Sequence, residues 1–274
     1  MRPTIVNYLN ELTGITVFEW LVPYPALVYA IAMFVGLLMF NRRIKQASLN
    51  QYHGLGAIIT GMICGLIGAR LFHVIIYYDR YPNIINALFQ VAGSTISWGA
   101  YLGGTIGFLT YLKIKKCPIL PYLDVVGSIL GLGVFIGRWS CFLNGCDFGT
   151  VTSLPWGVSF PHGSIPFFAQ LQSGLISRTA LESLPVHPLQ IYLSTNGLII
   201  FLIISKLWRL NKFKPGIIFF TYLMAYSITR FFIEFLRGDT QTFYFEIFSL
   251  GQVMTILFII ISSAGIFLIS SKSR

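Results

Sequence analysis

Apolar residues in this chain neither alternate along strands nor fall on one narrow helical stripe. They run in blocks close to the ~20 residues that a helix needs to cross a bilayer, and short polar clusters separate the blocks. Seven blocks are predicted as membrane helices: Leu21–Phe40, Leu55–Tyr77, Ser94–Leu112, Leu123–Gly137, Leu189–Lys206, Gly216–Phe235 and Leu250–Ser271. The fourth is short and runs directly into the stretch Arg138–Gly149. The longest connection, roughly Ser140–Pro188, carries Pro155, Pro161, Pro166 and Pro185 with several glycines, which predicts an ordered or lid-like loop instead of a helix. Met1–Trp20, with Glu11 and Glu19, lacks the unbroken apolar core of a signal peptide and reads as an amphipathic or irregular lead-in. Neither an internal repeat nor a low-complexity tract interrupts this order.

Composition agrees with the blocks. Of the 274 residues 55% are hydrophobic and only 10% charged, with a mean hydropathy of +0.74. A soluble domain carries about 25% charged residues, so the expected class is an all-α polytopic membrane protein, one integral domain over residues 1–274. The net charge of +10 lies in short clusters between the blocks and not in a soluble patch, which argues against nucleic acid as a partner. Arg42, Arg43 and Lys45 follow the first block, and Lys113, Lys115 and Lys116 the third. Lys206, Arg209, Lys212 and Lys214 follow the fifth, and Lys272 and Arg274 the seventh. Those twelve fall on one side, against Arg2, Arg80 and Arg178 on the other. The excess of basic residues in cytoplasmic loops then places the N-terminus and the 140–188 loop outside and the C-terminus in the cytoplasm.

Four arginines interrupt the apolar blocks: Arg70, Arg138, Arg230 and Arg237. A guanidinium in hydrocarbon costs roughly 3 kcal/mol on insertion scales, which makes each a functional-site candidate. Within a block only Glu234 offers an acidic neighbour, four residues from Arg230 and able to pair with it on one helix face. The remaining positive charge is expected to be matched by an anionic lipid headgroup. The predicted topology puts all four in the outer half of the bilayer. Snorkelling to the interface is the alternative, and Arg237 fits that reading as well as the functional one.

The densest polar stretch is Gly137-Arg138-Trp139-Ser140-Cys141-Phe142-Leu143-Asn144-Gly145-Cys146-Asp147-Phe148-Gly149. Arg138 and Asn144 supply donors suited to phosphate oxygens; a helix end packed on small residues is the plain reading. The stretch resembles the signature of the bacterial prolipoprotein diacylglyceryl transferases at Gly137, Arg138, Phe142, Leu143, Asn144 and Gly149. Further matches follow in order. Gly65–Phe72, with Arg70, looks like the family's second-helix motif. Pro155–Pro161 and then His187-Pro188-Leu189-Gln190-Ile191-Tyr192 are similar to its Trp-Gly-Val and His-Pro-x-Gln-x-Tyr pattern, and Arg230–Arg237 to its Arg-Phe-x-x-Glu-x-x-Arg. Each motif alone is weak, whereas four in order across most of the chain are specific.

The resemblance implies transfer of a diacylglyceryl group from phosphatidylglycerol to the lipobox cysteine thiol of a prelipoprotein, giving a thioether and glycerol phosphate, in the bacterial inner membrane. It implies Arg138, Asn144 and Arg230 as headgroup and leaving-phosphate ligands, supported by Arg70, Glu234, Arg237, Gln190 and Tyr192. His187, Asp147 and an arginine-lowered thiol are the candidates for handling the thiol proton. No metal or nucleotide cofactor is expected. Several family positions differ. Gly99 stands where the third-helix His falls, Cys141 replaces the signature's first Asn, and Cys146 its Glu, with Asp147 adjacent. Pro25, flanked by Tyr24, takes a Tyr position, and Leu193 a Glu position. Those changes leave two alternatives: a lipid-binding or translocating paralogue without transferase activity, or a transferase for another lipid or acceptor. For Cys141 and Cys146 the readings are small buried hydrophobes, a disulfide, a nucleophile beside Arg138, or zinc ligands with His162 and His187; the first is preferred.

Overall fold

The computed structural model describes residues 25–78, 83, 97–210, 212–239, 243–244 and 248–271. The predicted lead-in lies outside them. Eight helices form among the described residues: α1 Pro25–Gln46, α2 Gln51–Ile76, α3 Ser97–Ile114, α4 Ile119–Asn144, α5 Ile165–Gln172, α6 Leu189–Leu210, α7 Ile217–Glu234 and α8 Leu250–Ser271. A two-residue antiparallel ribbon, β1 Phe243–Tyr244 with β2 Phe248–Ser249, precedes α8. The chain is therefore an all-α polytopic membrane protein. Six helices (α1, α2, α4, α6, α7 and α8) are long and apolar enough to cross a bilayer. The third predicted block is also a helix, α3, of 18 residues and rich in glycine, and is not among those six.

Two departures from the sequence reading concern the fourth block and the loop after it. Helix α4 runs through to Asn144, so Arg138 to Asn144 are helical and the connection begins at Gly145. Within that connection α5 forms. Ser164 caps it by accepting from Phe167 N, and Pro166 takes a first-turn position where its missing N–H costs nothing. The prolines thus start a helix instead of forbidding one. The rest of the connection is ordered by main-chain pairing. Val158 and Val186 exchange hydrogen bonds at 3.0 and 3.1 Å, and Ser183 N donates to Phe160 O at 2.8 Å. Phe142, Leu143, Phe148, Val158, Phe160 and Val186 bury one another beneath it, together with Val28 of α1.

Contacts divide the described residues into two compact units, one of residues up to Phe40 and from Asp124 onwards, the other Asn41–Leu123. In the second unit α2 and α3 cross at small residues. A Cβ at Gly61 or Gly65 would lie 3.1–3.2 Å from the α3 carbonyls of Gly104 or Ala100, and one at Gly99 would run into Gly68 O and Phe72. Such close backbone approach is how helices pack in lipid, where no hydrophobic gain draws them together. It also leaves no room for an imidazole at position 99. In the first unit Gly131 of α4 and Gly197 of α6 pack backbone to backbone, with a Cβ on Gly131 only 2.7 Å from Gly197 O. The Asp124 carboxylate of α4 accepts from Gly216 N and Phe219 N at 2.6 and 2.8 Å, and so caps the N-terminus of α7.

Candidate active site

The end of α4 follows a recognisable stop signal. Gly145 N donates to Phe142 O and Cys146 N to Cys141 O, with Gly145 at φ +77°, the paired bonds of a Schellman turn. Two residues after Gly145, Asp147 is also left-handed at φ +56°, a conformation that Asp tolerates better than most residues. Two left-handed residues in three turn the chain sharply and deliver the Asp147 carboxylate back to Arg138. Arg138 Nη1 donates to Asp147 Oδ2 at 2.6 Å and Arg237 Nη2 to Oδ1 at 3.0 Å. One carboxylate thus bridges the two arginines. Burial alone raises the Asp147 carboxyl, but the guanidiniums of Arg138 and Arg237 outweigh it and hold the group below the ordinary carboxylate range.

Arg237 is placed by a short ladder. Gly149 pairs with Arg237 on one side and donates its N–H to His187 O at 3.0 Å on the other, while Thr150 N donates to Leu236 O and Gly238 N to Phe148 O. A Cβ on Gly149 would stand 2.5 Å from the His187 Cβ and 3.0 Å from Leu236 O, so only glycine lets the three segments close. Arg237 Nε and Nη2 also donate to Asp239 at 2.8 Å each. Seven residues earlier, about two helical turns, Arg230 Nη2 meets Glu234 Oε2 at 2.6 Å, with both side chains nearly buried. Glu234 accepts from Ser249 Oγ at 3.1 Å as well. Ser249 and Gln252 form a capping box at the start of α8: Gln252 N donates to Ser249 Oγ, and Ser249 N to Gln252 Oε1. The positive end of α8 therefore faces the Glu234 carboxylate, and Gly251 lies against that carboxylate where a side chain would collide.

These distances revise the expected charge balance. Arg138, Arg230 and Arg237 are brought together in the first unit as predicted, and Glu234 holds Arg230 as expected. Asp147 and Asp239 add two counter-charges that a segment-by-segment reading missed, since both lie outside the apolar blocks. The cluster is a set of ion pairs and not a bare cationic surplus. Arg70 belongs to the second unit, half-buried on α2. Asn144 is the exposed last residue of α4. Gln190 is fully buried and donates through Nε2 to Cys146 O at 2.6 Å, so it braces the turn. His187 Nδ1 lies 3.3 Å from the Tyr192 hydroxyl, which itself accepts from Trp156 Nε1 at 2.7 Å. Tyr24 lies outside the described residues. Further along α1, the hydroxyl of Tyr29 is 3.3 Å from Cys141 Sγ.

The four cysteines are free thiols. The alternative zinc set of Cys141 and Cys146 with His162 and His187 is not assembled among the described residues. His162 packs on Phe167 with ring centroids 4.4 Å apart, and His187 faces Tyr192. Among the described residues the sulfurs of Cys141 and Cys146 instead cluster with an Asp147 oxygen. A hydrogen bond to Cys141, then burial, push the Cys146 thiol up, so it stays protonated at neutral pH.

Residues 15–268 match the sequence profile of the family described as prolipoprotein diacylglyceryl transferase. A phosphatidylglycerol–prolipoprotein diacylglyceryl transferase of Clostridium tetani is 30% identical over 234 residues, 85% of this chain and 86% of the relative. Its namesake in Clostridioides difficile is 30% identical over 226 residues, 82% of each. That of Thermosynechococcus vestitus is 28% identical over 243 residues, 88% of this chain and 86% of the relative.

Proposed function

The chain belongs to the prolipoprotein diacylglyceryl transferase family, and from that premise we propose how its residues carry the reaction. The protein is a membrane transferase that moves a diacylglyceryl group from phosphatidylglycerol to the cysteine thiol of a prelipoprotein. The observation that carries the reading is the convergence of Arg138, Arg230 and Arg237 on Asp147 and Glu234. Guanidiniums fixed beforehand by carboxylates need no reorganisation when a phosphate arrives, and each offers five donors in a planar fork. Arg138 and Arg230 hold the headgroup phosphate, with Arg237 beside them and Asn144 at the exposed rim.

The thiolate sulfur attacks the glyceryl carbon, the bond from that carbon to the phosphate oxygen breaks, and glycerol phosphate leaves with the negative charge that the arginines stabilise. Asp147 makes a poor base, because the two guanidiniums keep it ionised at low proton affinity. His187 accepts the thiol proton, its ring oriented by Tyr192. Gln190 and Tyr192 act through this scaffold.

The whole chain functions as one integral membrane domain of seven spans, α3 included. The N-terminus and the connection from Gly145 to Pro188 face outwards and the C-terminus faces the cytoplasm, an orientation supported by the distribution of basic residues. Phosphatidylglycerol and prelipoproteins are its partners at the outer leaflet of the bacterial inner membrane. Complementation tests the reading. Wild type is expected to restore growth and lipoprotein processing in a strain depleted of its own diacylglyceryl transferase, and Arg138→Ala and Arg230→Ala are expected not to. Failure of expressed, membrane-inserted wild type would favour a lipid binder or a transferase with another substrate.

A further inference from the structure

Cys141 and Cys146 are five residues apart, and the Schellman turn between them decides how they meet. That turn brings the side chain at its last position back over the one three places before the helix end, a contact usually made by two apolar groups. Here both positions are cysteine. Cys146 Sγ lies 3.7 Å from Cys141 O, and the two sulfurs and an Asp147 carboxylate oxygen all lie within 4.8 Å of one another. Both thiols are free, Cys146 is partly exposed, and neither has a part in the transfer step above. Gln190 grips Cys146 O at 2.6 Å and fixes the turn from the other side.

We propose that Cys141 and Cys146 form a reversible disulfide that clasps the end of α4 to the turn presenting Asp147. A disulfide needs side chains that face each other at close range, which this turn provides. The oxidant is a small-molecule or protein disulfide. One thiolate of the pair attacks it to give a mixed disulfide and releases one thiol; the second cysteine attacks that mixed disulfide and releases the other. Two protons and two electrons pass from the cysteine pair to the oxidant, leaving one internal S–S bond. Closure ties the backbone on both sides of Gly145 and removes the Cys141 thiol proton beside the Tyr29 hydroxyl. The chemistry rests on proximity alone; only its occurrence in the cell depends on the outward orientation proposed above.

The purified full-length protein in detergent, equilibrated with graded mixtures of reduced and oxidised glutathione, tests this directly. After acid quench, samples are alkylated in denaturant and weighed whole and as peptides. All four cysteines should be alkylated when reduced. On oxidation Cys141 and Cys146 should become protected, their joined peptides lighter by two hydrogen atoms, with Cys64 and Cys117 still labelled. Cys146→Ser and, separately, Cys141→Ser should remove the internal bond. Persistence of four alkylated cysteines across the series would overturn the proposal, as would separate glutathione adducts on Cys141 and Cys146 with no internal bond.

Discussion

Asp147 is held by two guanidiniums, and its removal tests whether the arginines need fixing in advance. Asp147→Asn keeps the shape and removes the charge. It is expected to lower kcat about 100-fold in a phosphatidylglycerol vesicle assay with a smaller change in KM, since preorganised charge acts on the transition state. The pH dependence has a definite sign. Because the native carboxyl lies below the ordinary value of about 4, the pairing stabilises the fold fully above that value and is lost as pH falls through the lowered native one. Thermal melts of wild type should therefore drop more steeply below about pH 4 than those of Asp147→Asn. Glu234 poses a different case. It is buried, so Arg230→Ala removes its close partner, leaves only Arg237 Nη1 at 3.9 Å and the Ser249 hydroxyl, and should destabilise by roughly 3 kcal/mol; the double change Arg230→Ala with Glu234→Gln should recover part of that loss, measured by denaturation in detergent. Equal melting of the single and double variants would refute the pairing as the cause.

At the scale of elements, two devices hold the site: the Gly149 ladder and the caps on α7 and α8. Gly149→Ala is expected to lower the melting temperature and abolish most activity, because the new methyl meets His187 and Leu236 where the backbone strands close. Asp124→Ala removes the carboxylate that accepts from two main-chain N–H groups at the N-terminus of α7 and should cost about 1–2 kcal/mol, with activity per folded molecule retained. The helices themselves were legible from the sequence, since a run of twenty apolar residues has few alternatives in lipid. Their ends were not. Helix α4 carries on seven residues beyond Gly137 because the stop is set by Gly145 in a Schellman turn, not by Arg138. Helix α5 arose in a proline-rich stretch because Ser164 and Pro166 are start signals when they stand at a helix's first turn. The capping box Ser249–Gln252 was there to be read, and it sets the start of α8 against Glu234.

For the molecule as a whole, the order of motifs along the chain proved more informative than any one of them. The arginines were visible as charges out of place in apolar blocks, and their partner Glu234 followed from helical spacing. Asp147 and Asp239 were not, because their roles depend on a left-handed turn and a three-segment ladder that bring distant residues together. Gly99 became intelligible only from the α2–α3 crossing, which excludes a side chain there. The orientation is open to a direct check: a reporter fused at the C-terminus should be active in the cytoplasm, and one inserted after Thr179 should report the outside. The measurement that bears most directly on the central claim is the mass of a lipobox peptide incubated with the purified protein in phosphatidylglycerol vesicles. The account predicts a gain of one diacylglyceryl group on the cysteine sulfur and release of glycerol phosphate, both lost in Arg138→Ala. An unmodified peptide, with phosphatidylglycerol still bound by the folded protein, would contradict it.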